Sequence, residues 1–148
     1  MHIEAAISSD IPALNELLAE LFSQEQEFTP NSEAQSRGLL MIINNPDTGA
    51  VLVARQNEKI VGMVNILFTI STALGARVAL LEDMIIASAS RGENIGTQLL
   101  MEAISLARTR ACKRITLLTD GSNNLAQQFY AKQGFVVSDM LPMRLSLD

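Results

Sequence analysis

The sequence predicts an α/β protein in which a single mixed β-sheet carries helices on both faces. Apolar runs of strand length alternate along the chain with segments whose apolar residues recur at helical spacing. The run at residues 78–87 is apolar on both faces, as expected for a central strand that is covered on both sides. The 148 residues are most simply one domain, residues 1–148, large enough to bury a core.

The N-terminal part of the chain is predicted to form a short strand and two helices. The strand covers residues 3–7, and Ser9 or Asp10 caps the helix that follows. The apolar residues of this helix recur on one face, at Leu14, Leu17, Leu18, Leu21 and Phe22. A weaker helix is predicted over residues 32–43 and ends before Pro46.

Three strands are predicted in the middle of the chain. Residues 50–55 and 60–70 flank the polar turn at residues 56–58, which is a hairpin signal. A turn near Gly75 then leads into the apolar strand at residues 78–87.

The C-terminal third is predicted to alternate again between helix and strand. The predicted elements are a helix over 94–111, a strand over 114–119, a helix over 123–132 that ends at Gly134, and closing strands over 135–137 and 143–147. The full predicted order is β-α-α-β-β-β-α-β-α-β-β.

Composition excludes several classes of function. A net charge of −5 and a pI near 4.8 argue against nucleic acid or an anionic membrane as partner, because either would need a basic patch. Cys112 and His2 are the only residues of their types, so an internal disulfide, a cysteine metal cluster and histidine-based catalysis are unavailable. No signal pattern is visible, and the uncharged run at 60–76 is shorter than the about 20 residues of a membrane helix. We expect a cytoplasmic protein that binds no metal.

The most informative segment is the loop Arg91-Gly92-Glu93-Asn94-Ile95-Gly96-Thr97. It follows an apolar strand and opens a helix, whose first N–H groups lack intrahelical partners and whose dipole is positive at that end. Such a junction is typical of sites that bind phosphate groups. An ordinary strand–turn–helix connection is the alternative.

Two motifs in this order resemble the GNAT superfamily of acetyl-CoA-dependent N-acetyltransferases. The pyrophosphate loop of that family, Arg/Gln-x-x-Gly-x-Gly/Ala, is similar to residues 91–96. A second family motif, Asn-x-x-Ala-x-x-Phe-Tyr-x-Lys-x-Gly-Phe, is matched by residues 123–135. About 35 residues separate the loop from Tyr130, enough for a helix, a strand and part of a helix. The resemblance covers most of the chain and implies the GNAT fold.

The resemblance also implies how acetyl-CoA would be bound as co-substrate. The backbone of Met84, Ile85 and Ile86 would hydrogen-bond the pantetheine arm as if it were another strand. The pyrophosphate would lie on the loop formed by Arg91, Gly92, Glu93, Asn94, Ile95, Gly96 and Thr97. Asn123 would contact acetyl-CoA from the other side, and capping its own helix is a second role for the same residue.

Asn94 is the one departure from the family motif, which usually has glycine there. Glycine suits such a loop because it adopts positive φ freely and lets backbone approach phosphate. Asparagine is the next most tolerant residue in the left-handed region. We therefore expect the loop to keep its function.

Tyr130, the only tyrosine, stands at the family's usual general-acid position. When an amine attacks the thioester, a thiolate must leave, and a thiolate whose thiol has a pKa of about 8.5 can take a proton from a phenol with a pKa of about 10. A core tyrosine beside Phe129 is the alternative.

Glu82 and Asp83 are the candidates for the base or for binding the cationic amine. Successive strand residues face opposite sides, so we expect only one of them to face the active site. Glu82 shares parity with Met84 and Ile86 and is favoured. The run Leu81-Glu82-Asp83 also resembles the diamine and polyamine branch of the family.

The predicted activity is direct transfer of acetyl from acetyl-CoA to a primary amine in a ternary complex. The alternative is a non-catalytic acyl-CoA-binding regulatory module. Small-molecule and peptide amines remain open as acceptors, and the acidic residues Glu25, Glu27 and Glu33 lie in the segment expected to line the acceptor groove. Homodimerisation is common in the family and is an expectation here.

Overall fold

The computed structural model describes residues 1–24 and 31–148. By backbone contacts it divides into a larger unit, Met1–Leu118, and a smaller one, Thr119–Asp148. The predicted acidic residues Glu25 and Glu27 lie outside the described residues.

Within the larger unit, five strands form one mixed sheet in the order β1-β2-β3-β4-β5. The strands are β1 (His2–Ala5), β2 (Gly49–Gln56), β3 (Lys59–Ser71), β4 (Ala76–Ile86) and β5 (Ile115–Leu117). Neighbours run antiparallel except β4 and β5, which are parallel. This confirms the predicted α/β class with a mixed sheet.

The helices of this unit are α1 (Ile11–Gln24), α2 (Ser32–Ile43) and α3 (Ile95–Thr109). Short 3-10 turns, Ser8–Asp10 and Ser88–Ser90, precede α1 and α3. Among the helices formed by residues 1–24 and 31–148, none is long and apolar enough to cross a bilayer.

The helices cover the two faces of the sheet. Leu14 and Leu39, from α1 and α2, pack in one buried cluster with Met63 of β3. A side chain at the preceding position, Gly62, would point to the opposite face, because side-chain direction alternates along a strand. A Cβ on Gly62 would lie 3.5 Å from Leu99 of α3. One face therefore carries α1 and α2, and the other carries α3.

The hairpin between β2 and β3 forms where the polar turn predicts it. Asn57 and Glu58 have φ of 51° and 64°, the left-handed conformation that two-residue hairpin turns require. β2 then pairs antiparallel with residues 59–67 of β3, and β3 is the central strand of the five.

The smaller unit contains α4 (Asn124–Ala131). Gly134 follows it at a φ of 100°, which confirms the predicted C-terminal cap. The predicted closing strands over 135–137 and 143–147 are wrong, since residues 135–148 form no strand. Val136, Met143 and Leu147 are 88–94% exposed. An apolar alternating pattern becomes a strand only when a neighbouring backbone pairs with it, and residues 119–148 contain no strand that could do so.

Candidate active site

The predicted anion loop encloses a cavity of about 400 Å³ at the start of α3. The cavity is lined by Ile86, Ser90, Arg91, Gly92, Asn94, Ile95, Gly96 and Thr97. Six of the seven predicted loop residues are thus brought together, and the exposed Glu93 is the one that does not line the cavity. Ser90, which is buried, was not predicted from the sequence.

The loop has the backbone conformation that the sequence predicts. Asn94 is the N-cap of α3 with a φ of 66°, and Gly92 has a φ of 86°. An added Cβ on Gly92 would meet nothing within 4 Å, so positive φ rather than crowding is what favours glycine there. Because Asn94 tolerates the left-handed region, the first N–H groups of α3 lie beside the cavity, as an anion site requires.

Replacing Asn94 tests this conformation directly. Asn94→Gly should keep or tighten acetyl-CoA binding and leave folding intact, because glycine adopts the same φ without strain. Asn94→Ala should lower stability by about 1 kcal/mol, or about 2–4 °C in Tm. Calorimetric titration with acetyl-CoA and thermal melts of both variants make the measurement. A large loss of affinity in Asn94→Gly would contradict a pyrophosphate role for the loop.

Arg91 connects the loop to its surroundings. Its guanidinium lies 3.3 Å from the Glu20 carboxylate of α1, and its Nε donates to the Ile86 carbonyl at 3.4 Å. The Ser88 hydroxyl donates to the same carboxylate. These contacts join α1, the end of β4 and the loop, although Arg91 is half-exposed and its ion pair contributes little stability.

Beside the loop, β4 has an unpaired edge. β5 pairs with residues 79–81 and the Lys113 N–H donates to the Arg77 carbonyl, whereas the described strands that pair with residues 84–86 are limited to β3. The N–H of Ala87 donates to the Val61 carbonyl at 2.8 Å. Because hydrogen bonds alternate along an antiparallel strand, the peptide groups of Met84 and Ile86 turn away from β3. The Ile85 side chain, by contrast, is buried in the core under α1.

A second cavity, of about 370 Å³, lies where α1 and α2 cross β3 and β4. Its lining residues are Leu18, Phe22, Asn31, Ala34, Gln35, Gly38, Leu39, Ile42, Asn65, Leu67, Glu82 and Asp83. The predicted acids Glu82 and Asp83 therefore both line it. Glu33, at the exposed start of α2, does not.

A β-bulge brings the two acids to the same cavity. Val64 pairs with Met84 but Ile66 pairs with Leu81, so Asn65 alone lies opposite Glu82 and Asp83. The extra residue breaks the alternation of sides. The parity argument that favoured Glu82 is therefore wrong at this point, while the role of either acid stays a prediction.

Asp83 is the more enclosed of the two acids. Burial, and next the negative charge of Glu82, raise the pKa of Asp83 to about 6, against the opposing effect of the Asn65 hydrogen bond. The Asn65 amide donates to the Asp83 carboxylate at 2.7 Å. The Glu82 side chain is exposed. Asp83 thus combines a raised pKa of about 6 with a hydrogen bond to Asn65, a combination found in acid–base groups of active sites.

Asn123 and Tyr130 belong to the smaller unit. The Asn123 side chain accepts the Ala126 N–H at 3.1 Å, so its capping role is confirmed. The Tyr130 ring makes edge-on contacts with Phe129 and Phe135, at 5.2 and 5.7 Å between centroids. Burial raises the pKa of the Tyr130 phenol, which keeps its proton at neutral pH.

The profile of the acetyltransferase (GNAT) family matches residues 11–135, which include both cavities and both sequence motifs. The chain belongs to this family. The uncharacterized N-acetyltransferase YhfO of Bacillus subtilis (strain 168) is 27% identical over 138 residues, covering 91% of this GNAT chain and 89% of its own length.

Solved structures agree with this assignment. A transcriptional regulator from Bacillus halodurans C-125 is 28% identical, with a TM-score of 0.81 over 97% of this chain and 99% of that one. The Trypanosoma brucei acetyltransferase Tb11.01.2886, at 23% identity, has a TM-score of 0.76 over 99% of each chain and shows the fold alone. Membership in the GNAT family makes this protein an acetyltransferase in general terms.

Proposed function

We propose that this GNAT chain transfers the acetyl group of acetyl-CoA to a primary amine in a ternary complex. The observation that carries the proposal is that one strand serves both cavities. Ile86, at the end of β4, lines the loop cavity, whereas Asp83 lines the cavity under α1 and α2. At about 3.3 Å per residue, these positions are about 10 Å apart, so ligands of the two cavities could meet along β4.

The residues of the first cavity fit acetyl-CoA. The left-handed Asn94 and Gly92 leave the start of α3 open toward the cavity, where N–H groups and the helix dipole suit a diphosphate. The unpaired edge of β4 at Met84 and Ile86 suits an extended chain carrying amide groups. Acetyl-CoA supplies a thioester, the activated acyl group that an amine can attack.

In this proposal the acids of the second cavity receive the amine. A protonated alkylamine has a pKa of about 10.4 and must lose a proton before it attacks. Glu82 was favoured as the base from the sequence. The enclosed position of Asp83 and its hydrogen bond to Asn65 now support Asp83 more strongly.

Tyr130 is the proposed proton donor to the leaving thiolate. The phenol is protonated at neutral pH, so it has a proton to give; burial raises its pKa, and the same burial would make the leaving thiolate a stronger base. Cys112 is not proposed as a nucleophile, since the described part of the chain pairs no base with it and burial raises the pKa of its thiol. Direct transfer follows, with positioning and proton transfer as the sources of catalysis.

The test is thiol release from acetyl-CoA by the full chain in the presence of a broad panel of primary amines. We expect amine-dependent release and acetylated product by mass spectrometry. Tight acetyl-CoA binding without turnover on every amine would instead favour the regulatory module. The regulatory alternative is included because one similar solved structure, from Bacillus halodurans, is that of a transcriptional regulator.

A further inference from the structure

We infer that Asn65 accepts a hydrogen bond from the acceptor's ammonium group beside Asp83, and that the second cavity selects apolar primary amines that lack a carboxylate next to the nitrogen. The inference rests on the proposed function and specifies its acceptor. It depends on three features of the cavity: an unpartnered acceptor atom, an excess of negative charge, and an apolar wall.

The unpartnered atom is Oδ1 of Asn65. The residue is only 3% exposed, and its amide nitrogen is committed to the Asp83 carboxylate. Among residues 1–24 and 31–148, no group donates a hydrogen bond to Oδ1, although this atom is buried. A buried acceptor without a donor is costly, and Asn65 is one of the residues that line the second cavity, so a ligand that brings a donor to Oδ1 would remove this cost.

An ammonium group matches the acceptors on this wall. It carries three N–H donors and no acceptor. Asn65 Oδ1 and the Asp83 carboxylate both accept, and Glu82 adds negative charge in the same cavity. A charged donor also makes a stronger hydrogen bond than a neutral one.

The rest of the cavity suits an apolar body. Leu18, Phe22, Leu39, Ile42 and Leu67 line it, and its described lining residues include no lysine or arginine. The amide of Gln35 is already used, because its Nε2 lies 3.3–3.4 Å from two oxygens of Asn15 and its Oε1 accepts the Asn31 N–H. A carboxylate on the acceptor would therefore lie near two acids without a cation to pair with.

Matched acceptors test the selectivity on the unaltered protein. Isopentylamine and leucine differ only by the α-carboxylate, and leucinamide replaces that carboxylate with an uncharged amide. We expect kcat/KM for isopentylamine to exceed that for leucine by about 10²-fold, because an uncompensated like charge costs several kcal/mol. Leucinamide should lie between them. The pair 2-phenylethylamine and phenylalanine repeats the comparison with a larger body.

Asn65→Leu tests the residue, and Val64→Ala is its matched control. Val64 is the adjacent buried residue and points to the other face of β3, so its truncation lowers stability without reaching the cavity. Asn65→Leu should raise KM for isopentylamine about 10-fold or more, with KM for acetyl-CoA within about 2-fold. Val64→Ala should lower Tm and leave both KM values within about 2-fold.

The outcomes separate the inference from the function on which it rests. If no amine, amide or amino acid is acetylated, the proposed function fails. If leucine is acetylated as well as isopentylamine, transfer stands and the selectivity is overturned. If Asn65→Leu leaves the amine KM unchanged, or raises both KM values equally, Asn65 does not bind the amine.

Discussion

Tyr130→Phe should lower kcat for amine acetylation by about 10²-fold or more, the scale of a lost general acid. The substitution removes only the hydroxyl group and keeps the ring between Phe129 and Phe135. Acetyl-CoA binding should stay within a few-fold, because the phenol acts on the leaving thiolate. Steady-state thiol release and calorimetric titration with acetyl-CoA measure the two quantities.

Phe129→Leu is the matched control for this variant. It disturbs the same ring cluster and retains the hydroxyl group of Tyr130. If both variants lose activity to the same extent, packing of α4 rather than proton donation explains the result. Unchanged turnover in Tyr130→Phe would remove Tyr130 from the mechanism.

Asp83→Asn should raise stability and abolish most activity at the same time. The pKa of Asp83 is about 6 in the folded protein, against an ordinary value of about 3.9. The folded state therefore binds this proton more tightly than the unfolded state, and the free energy of unfolding falls as pH rises from about 4 to about 6. At pH 7 the cost is about 3 kcal/mol, and a neutral asparagine removes it.

Chemical denaturation of the wild type and Asp83→Asn across pH 3.5–8 measures this effect. The difference between the two free energies of unfolding should shrink as the pH falls to about 3.5, where Asp83 is protonated in the folded state and mostly protonated in the unfolded state, and it should grow up to about pH 6.5. A constant difference across the range would show that Asp83 does not titrate as described.

Turnover distinguishes the two acids. If Asp83 is the base, kcat/KM for the amine should rise as Asp83 loses its proton near pH 6. Asp83→Asn should lower kcat/KM by about 10²-fold and abolish that rise. Glu82→Gln, the matched control, changes the exposed neighbour and should cost less than about 5-fold. It should keep that rise but move it to lower pH, because the Glu82 charge contributes to the raised pKa of Asp83. If Glu82→Gln instead lost more kcat/KM than Asp83→Asn, Glu82 rather than Asp83 would be the base.

Local signals in the chain were enough to predict most of the fold and the anion loop. The left-handed φ of Asn94 follows from a strand–turn–helix junction whose other residues match a phosphate loop. The hairpin turn at Asn57 and Glu58 likewise follows from polar residues between two apolar runs. In both places the backbone conformation depends on neighbours within a few positions along the chain.

The acid–amide site could be predicted only in part. Glu82 and Asp83 were identified, but their sides were assigned by strict alternation, which the bulge opposite Asn65 breaks. Asn65 itself was visible as a polar residue in an apolar strand, yet its importance depends on which residue of β4 lies across from it. The closing strands were overpredicted because their apolar alternation carries no information about a pairing partner.

The sequence by itself determined the α/β class, the glycine-bearing loop at the start of α3, the lone tyrosine and the pair of adjacent acids. The tertiary structure alone decided that both acids line one cavity, that Asp83 is enclosed beside Asn65, and that no described residue donates to the Asn65 amide oxygen. The physical reason is the separation along the chain of the residues that determine each feature. Turn conformation and helix starts are set by residues close in the chain, whereas strand register, burial and the pKa of a carboxyl group are set by residues brought together from distant positions.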